Sequence, residues 1–332
     1  MSGDFGSRRP VTALITVVHG RHEHLQRQLE AVALCDHRPD HHVIVAMDDP
    51  TIAGLLPSGP DRPHLVTTDP PALSQGADGG GALPLARARN LGATTALALG
   101  AEVLVFLDVD CLPAPAALGA YAAAATAEET SGRLLCGPVT YLPPAPDGGY
   151  RLDRLAESDR PHPARPAPAP GEIELGGAHE LFWSLSFALH ADVWRRIGGF
   201  AEEYVGYGGE DTDFAFTARA RGVELAWVGS ARAYHQHHAV SSPPVEHVAE
   251  IVRNASVFHD RWGTWPMQGW LDAFEQRGLV TRDPAGAYRV SELDPQSGRA
   301  PVPASEPDTS RSRTGWAPAQ STREGSAIGC GA

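Results

Sequence analysis

Three groups of polar residues in this chain could do chemistry: Asp108-Val109-Asp110, Gly208-Gly209-Glu210-Asp211 and His235-Gln236-His237-His238. Asp108 and Asp110 follow Val103–Leu107, a β-branched and aromatic run with the composition of a strand buried on both faces. Carboxylates at such a strand end are costly unless something cationic offsets them. At alternate positions they can converge on one ion, with oxygen ligands suited to Mg²⁺ or Mn²⁺. The pair equally fits a solvated loop in which one Asp caps the helix after Pro113. Glu210 and Asp211 fit the first turn of a helix, where the dipole favours acidic residues. Capping does not account for the preceding Tyr204-Val205-Gly206-Tyr207-Gly208-Gly209. Glycines interleaved with tyrosines give a backbone able to move and rings able to stack, which suits a lid over a substrate. A carboxylate at its base can serve as a general base. His235 reads as a structural histidine or, with His237 and His238 close behind, as a metal ligand. Trp183 reads as core, with an acceptor-facing role as the alternative.

The elements that position these groups alternate. Val11–Val18 is a first buried strand ending at His19-Gly20-Arg21, and His22–Leu34 is a helix with Leu25, Leu29, Val32 and Ala33 at helical spacing. His42–Met47 is a second strand ending at Asp48-Asp49-Pro50. His64–Thr67 is a weak third strand, followed by a Gly-rich loop, Ser74–Ala82. The helix Leu85–Leu99 carries Arg87, Arg89 and Asn90 and delivers the chain to Val103–Leu107. Pro115–Thr130 is an Ala-rich helix and Leu134–Val139 a strand. Leu142–Gly171 is dense in proline, and a loop this long inside a domain is usually functional or disordered. Leu181–Leu189 returns to strand character, Ala191–Ile197 is a short helix, and the helix opened by Glu210 runs to about Arg221. Val223–Val228 is a strand and Ala231–His235 an edge strand.

Strand–helix alternation of this kind predicts an α/β fold with a mostly parallel, doubly wound sheet. Ligands of such sheets sit outside the carboxyl ends of the strands, and three of those ends are polar here. No GxGxxG follows the first strand, which disfavours a dinucleotide-binding domain. Pro244–Trp262 and Pro266–Arg277 read as a C-terminal helical layer containing Phe258, Trp262, Trp265, Trp270 and Phe274. From Ser291 onward the composition is too polar to bury enough surface for order. The expected organisation is a flexible N-terminus (1–10), a ligand-binding first half (11–140), a second half (141–240) holding the Pro-rich loop 142–171, the helical layer (241–290) and a disordered tail (291–332).

The chain has 332 residues, 42% of them hydrophobic, enough for a sizeable core, and a net charge of −13 from 27 basic and 40 acidic residues. That balance argues against a general nucleic-acid or anionic-membrane binder, because phosphate backbones need a basic face. Four cysteines without a CxxC pair imply neither a disulfide framework nor a zinc site. No run approaches the roughly 18 apolar residues of a membrane span, and the first residues lack a signal-peptide core. A cytoplasmic protein with no integral membrane segment is the expectation.

These residues together resemble a glycosyltransferase of the GT-A fold, family-two type, with a second half similar to galactosyltransferases and chondroitin polymerases. The first half carries the likeness in Val17-Val18-His19-Gly20-Arg21, Asp48-Asp49, Ala88-Arg89-Asn90-Leu91-Gly92 and Phe106-Leu107-Asp108-Val109-Asp110. The second carries it in Ile197-Gly198-Gly199-Phe200, Gly206-Tyr207-Gly208-Gly209-Glu210-Asp211 and Ala233-Tyr234-His235-Gln236. The family usually has Trp where Tyr207 stands, and Pro and Asn where Val17 and Gly20 stand.

The resemblance implies a nucleotide-binding first half, an acceptor-binding second half, and roles for single residues. Asp49 would bind the nucleobase, most often uracil, beside Val17. Arg21 and Arg89 would lie near the ribose and diphosphate, and Asp108 near ribose or sugar. Asp110 and His235 would hold Mn²⁺ or Mg²⁺. Asp211 would be the catalytic base, with Glu210 beside it, and Tyr207, Gly208, Gly209 and Glu210 would meet the acceptor. The implied reaction moves a sugar from a nucleotide-diphosphate donor, most often a UDP-sugar, to a hydroxyl of a glycan or small-molecule acceptor, with inversion. Two other classes share the fold. A non-catalytic sugar-nucleotide or glycan-binding protein would be expected to have lost one of Asp108, Asp110, Asp211 or His235. A metal-dependent nucleotidyltransferase would want a Gly-rich basic loop after the first strand, where this chain has only His19-Gly20-Arg21.

Overall fold

The computed structural model describes residues 8–59, 61–68, 82–239 and 241–291. The expected loose N-terminus up to residue 7, the Gly-rich loop up to residue 81 and the tail from residue 292 lie outside the described residues. The chain divides into two compact units, Met1–Ala239 and Val240–Ala332.

The first unit opens with β1 (Thr12–Val18), α1 (His22–Ala33), β2 (His41–Met47), the short α2 (Ile52–Leu55), β3 (His64–Thr68), α3 (Leu85–Ala98) and β4 (Val103–Leu107). It continues through β5 (Cys111–Pro113), α4 (Ala117–Thr126), β6 (Leu134–Cys136), β7 (Val139–Tyr141), β8 (Ile173–Leu175), β9 (Ser186–His190), α5 (Ala191–Ile197), α6 (Glu210–Ala220), β10 (Leu225–Val228) and β11 (Ala233–His235). Eight strands form one sheet in the order β3-β2-β1-β4-β9-β6-β10-β8. Neighbours among β3, β2, β1 and β4 are parallel, as are β6 and β10, while β9 and β8 run antiparallel to theirs. A second, three-stranded sheet, β5-β11-β7, lies at the site.

Strand side chains alternate between faces, and here both faces are covered. Ala13, Ile15 and Val17 of β1 join Leu104 and Phe106 of β4 in one core with residues of α3, α5 and α6. Leu14, Val103, Val105 and Leu107 join Leu118, Tyr121 and Ala124 of α4 in another. Phe106 stacks on Phe187 with ring centroids 4.5 Å apart. Truncating a buried aromatic of this kind to Ala costs about 3–5 kcal/mol, so β4 is firmly held just before its carboxylates. Gly92 of α3 permits close approach to β1, since a Cβ there would meet Ile15 Cγ2 at 2.5 Å.

Several expected elements are redrawn. The run Leu134–Val139 is two strands, not one. The chain turns at Gly137-Pro138 and moves to the small sheet, and a Cβ on Gly137 would fall 2.0 Å from the Ala231 carbonyl oxygen. The strand expected over Leu181–Leu189 begins only at Ser186, after a 3-10 turn at His179–Leu181. β11 lies centrally between β5 and β7 rather than at an edge. The Pro-rich segment carries a 3-10 helix, Leu152–Ser158, and packs Leu142 and Leu155 against Leu112 and Tyr234.

The second unit contains α7 (Val248–Trp262), α8 (Gln268–Gln276) and an antiparallel hairpin of β12 (Val280–Arg282) and β13 (Tyr288–Val290). Val248, Ile251, Val252 and Ala255 make one stripe of α7 and meet Leu271, Phe274, Val280 and Tyr288. The expected helical layer therefore also holds a hairpin.

Candidate active site

β4 ends at Leu107, and the next residues turn sharply, with Cys111 N–H donating to the Asp108 carbonyl (2.8 Å). A fully buried glutamine secures this turn. Gln28 Nε2 donates to the carbonyls of Asp108 (2.7 Å) and Cys111 (2.9 Å), and its Oε1 accepts from Thr16 Oγ1 (2.9 Å). Removing such a partner would leave two buried carbonyls unsatisfied. The clamp escaped sequence reasoning, although a Gln in the apolar stripe Leu25–Gln28–Val32 is the signal that reveals it. β5 then pairs with β11, setting Cys111 opposite His235, and Gln236 N–H donates to the Asp110 carbonyl (2.7 Å).

Asp110 faces one arginine and two histidines. Arg21 Nη1 donates to its Oδ2 at 3.0 Å, His235 Nε2 lies 3.5 Å from Oδ1, and His238 Nε2 lies 3.6 Å from Oδ2. Burial raises the Asp110 pKa, but His235, His238 and Arg21 outweigh it and hold the group below the usual carboxylate range. Burial lowers the His235 pKa, with Arg21 and His238 adding to the effect and Asp110 opposing it. A neutral imidazole beside a carboxylate is the form that binds a metal. Asp110, His235 and His238 each offer one ligand atom, all within 4.8 Å of one another. The donor set fits a divalent cation. His238 lies beyond the Tyr-His-Gln run, outside the motifs that carry the resemblance.

Asp108 faces the other way. Arg89, 3% exposed, donates from Nη2 to Asp108 Oδ1 (3.0 Å) and from Nη1 to Glu210 Oε1 (3.2 Å). Its guanidinium is thus shared between the β4 turn and the start of α6. Burial raises the Asp108 pKa, and Arg89 opposes that while Asp110 and Asp211 add to it. Asp211 is half-buried, and burial followed by the charge of Glu210 pushes it up to about 7, against Arg89. Glu210 Oε2 is buried and has no hydrogen-bond partner among the described residues. The preceding turn places Gly208 (φ 88°) and Gly209 (φ 93°) in the left-handed region that favours glycine, and Tyr207 is exposed.

Asp49 closes a network at the end of β2. Its Oδ2 accepts from Gly20 N–H (3.0 Å) and pairs with His22 Nε2 (2.8 Å), and its Oδ1 accepts from the Thr51 backbone N–H (3.1 Å). Burial raises its pKa, but the bonds from Thr51, His22 and Gly20 hold it well below the ordinary range.

Two expected site residues lie inside the protein. Val17 packs its side chain in the core with residues of α3. Trp183 is 3% exposed, covered by the His162 ring (5.0 Å) and the Arg165 guanidinium (4.7 Å), and as placed it cannot present a ring to an acceptor. Both covering residues come from the Pro-rich segment, whose path the composition did not reveal.

A large mostly parallel sheet, with carboxylates at its strand ends and a small sheet bearing a histidine, is the GT-A arrangement of glycosyltransferases, and the chain has that fold. Among solved structures it is similar to GalNAc-T7 with UDP, GalNAc and Mn²⁺, with a TM-score of 0.50 and 14% identity, covering 82% of this chain and 58% of that one. Residues 178–239 match the family model described as the N-terminal domain of galactosyltransferase. Over 243 residues it is 27% identical to validoxylamine A glucosyltransferase of Streptomyces hygroscopicus subsp. limoneus, covering 66% of this chain and 50% of that protein. The validoxylamine A glucosyltransferase of S. hygroscopicus subsp. jinggangensis (strain 5008) is 31% identical over 162 residues, covering 42% of this chain and 36% of that one. The chain therefore spans half the length or less of the curated relatives it matches. No helix among the described residues is long and apolar enough to cross a membrane.

Proposed function

We propose that this chain is a metal-dependent glycosyltransferase that moves a sugar from a UDP-sugar to an acceptor hydroxyl with inversion. The observation that carries the reading is the division of labour at one sheet edge. Asp110, His235 and His238 converge within 4.8 Å, while Asp211, pushed up to about 7, lies in the electrostatic neighbourhood of Asp108 through shared Arg89. Asp110, His235 and His238 would hold the cation, and a carboxylate–imidazole set suits Mn²⁺ better than the all-oxygen shell Mg²⁺ prefers. When bound, the ion supplies charge neutralisation for the diphosphate leaving group.

The chain's own residues do the rest. Asp211 accepts the proton of the acceptor hydroxyl as that oxygen attacks the anomeric carbon, and a base near pKa 7 is well matched to neutral pH. Glu210 keeps one carboxylate oxygen on Arg89 and adds negative charge beside Asp211. Arg89 holds Asp108 and Glu210 in register, while Arg21 adds positive charge beside Asp110. The Asp49 network at the end of β2 receives the nucleobase, with His22 in place to read it.

The names of the relatives support glucose as the first donor sugar to try, and the UDP and Mn²⁺ held by the similar GalNAc-T7 structure support that nucleotide and that ion. The test is a screen of UDP- and GDP-sugars with Mn²⁺, Mg²⁺ or chelator, with validoxylamine A as the first acceptor. UDP-glucose hydrolysis or transfer that requires Mn²⁺ and stops with chelator is expected. Failure to bind or turn over any nucleotide sugar with any metal contradicts the reading.

A further inference from the structure

Tyr141 closes β7 in register with His235 of β11. Parallel neighbours in register share a face, and the two rings meet with centroids 4.7 Å apart at 35°. His162 of the Pro-rich segment stands beside it as well, its ring edge-on to Tyr141 at 5.9 Å and edge-on to Trp183 at 5.0 Å. That segment is laid along β7 by specific bonds. His162 N–H donates to the Val139 carbonyl (3.0 Å), Arg160 N–H donates to Thr140 Oγ1 (3.0 Å), and Thr140 Oγ1 donates to Asp159 Oδ1 (3.1 Å). Arg232 anchors Asp159 from behind at 2.9 Å. Trp183 is buried, so the parts of this row open to solvent are Tyr141, 39% exposed, and the half-buried His162.

A large aromatic ring held by two neighbouring rings, yet left exposed beside a carboxylate–imidazole cluster, is a stacking surface for an apolar face. The opposite end of the site, at Asp49, belongs to the end of β2. Tyr141 instead shares the electrostatic neighbourhood of Asp110 and of Tyr207 on the glycine turn. A pyranose or cyclitol ring offers the matching chemistry, with C–H bonds on one face and hydroxyls at its rim.

We infer that Tyr141, braced by His162, is the stacking surface for the acceptor ring, a pyranose or cyclitol, and determines acceptor specificity. This rests on the transferase reading above. It also gives the Pro-rich segment a role, which is to cover Trp183 and set the Tyr141 ring in its place.

The test uses the full chain with Mn²⁺ and UDP. Saturation-transfer NMR with p-nitrophenyl β-D-glucopyranoside and with validoxylamine A reads binding without turnover. In the wild type, saturation should concentrate on one C–H face of a sugar or cyclitol ring. Tyr141→Ala should weaken binding about tenfold, Tyr141→Phe and Tyr141→Trp should retain it, and Mn²⁺-dependent UDP binding should stay within about twofold of wild type, which excludes action through His235. Equal binding by Tyr141→Ala overturns the inference, as does equal loss in Tyr141→Phe, parallel loss of UDP binding, or no saturation of either probe by the wild type. Wild-type saturation that depends on the Tyr141 ring, without transfer from any nucleotide sugar, upholds the stacking surface and refutes the transferase reading instead.

Discussion

Asp108 and Asp110 are two residues apart and live in opposite surroundings. Asp110 looks toward Arg21, His235 and His238 and is held in its ionised form. Asp108 looks toward Arg89, which it shares with Glu210, and its pKa is raised. Arg21 is a partly exposed side chain, whereas Arg89 is buried. The difference teaches that the acidic pair is not one chelating unit. One carboxylate faces His235 and His238, with which it could hold a cation. The other is a tie between the β4 turn and the acidic start of α6.

Substitutions and a pH titration can break or sharpen that contrast. The largest effect is expected at Asp211. Asp211→Asn should lower transfer about 10²–10⁴-fold, the range for a general base, while Mn²⁺-dependent UDP binding stays unchanged, and unchanged transfer would remove Asp211 from the base role. Next comes Arg89→Gln, which leaves buried Glu210 and half-buried Asp108 without their shared cation. Breaking one partner of a buried pair costs about 3–5 kcal/mol, to be read from urea unfolding, and Arg89→Lys should recover part of it.

The third expectation concerns pH. Transfer should rise as pH passes through about 7, where Asp211 loses its proton. The stability contribution runs the opposite way. The folded state binds the Asp211 proton more tightly than the unfolded chain, whose carboxylate titrates near about 4. Stability from this group is therefore present at low pH and is lost as pH rises through about 7. Glu210→Gln removes the charge that helps raise Asp211 and should move the acidic limb of the rate profile to lower pH. The smallest effect is expected for Arg21→Gln. Its guanidinium is partly exposed and screened, and His235 and His238 still face Asp110 without it, so the loss should be smaller than for Arg89→Gln, and comparable losses for the two would erase the distinction.

Much of this arrangement was legible in the residues because it is local. The runs Val103–Leu107 and Thr12–Val18 are strands by composition, and the polar residues after them stand at the sheet edge as expected. What escaped depends on contacts between distant segments. Arg89 is a helix residue whose partners, Asp108 and Glu210, lie 19 and 121 positions away. The split of Leu134–Val139 into two sheets is dictated by the Ala231 carbonyl packed against Gly137. Trp183 is withdrawn from the surface by His162 and Arg165, and the proline composition of their segment gave no sign of where it would lie.

The division between the two aspartates is tested most directly by calorimetric titration of UDP into wild type, Asp110→Ala and Asp211→Asn, each with Mn²⁺ and with chelator. Metal-dependent UDP binding should vanish in Asp110→Ala and persist in Asp211→Asn. Persistence in Asp110→Ala, or equal loss in both, would contradict the assignment of the cation to Asp110 and of the proton to Asp211.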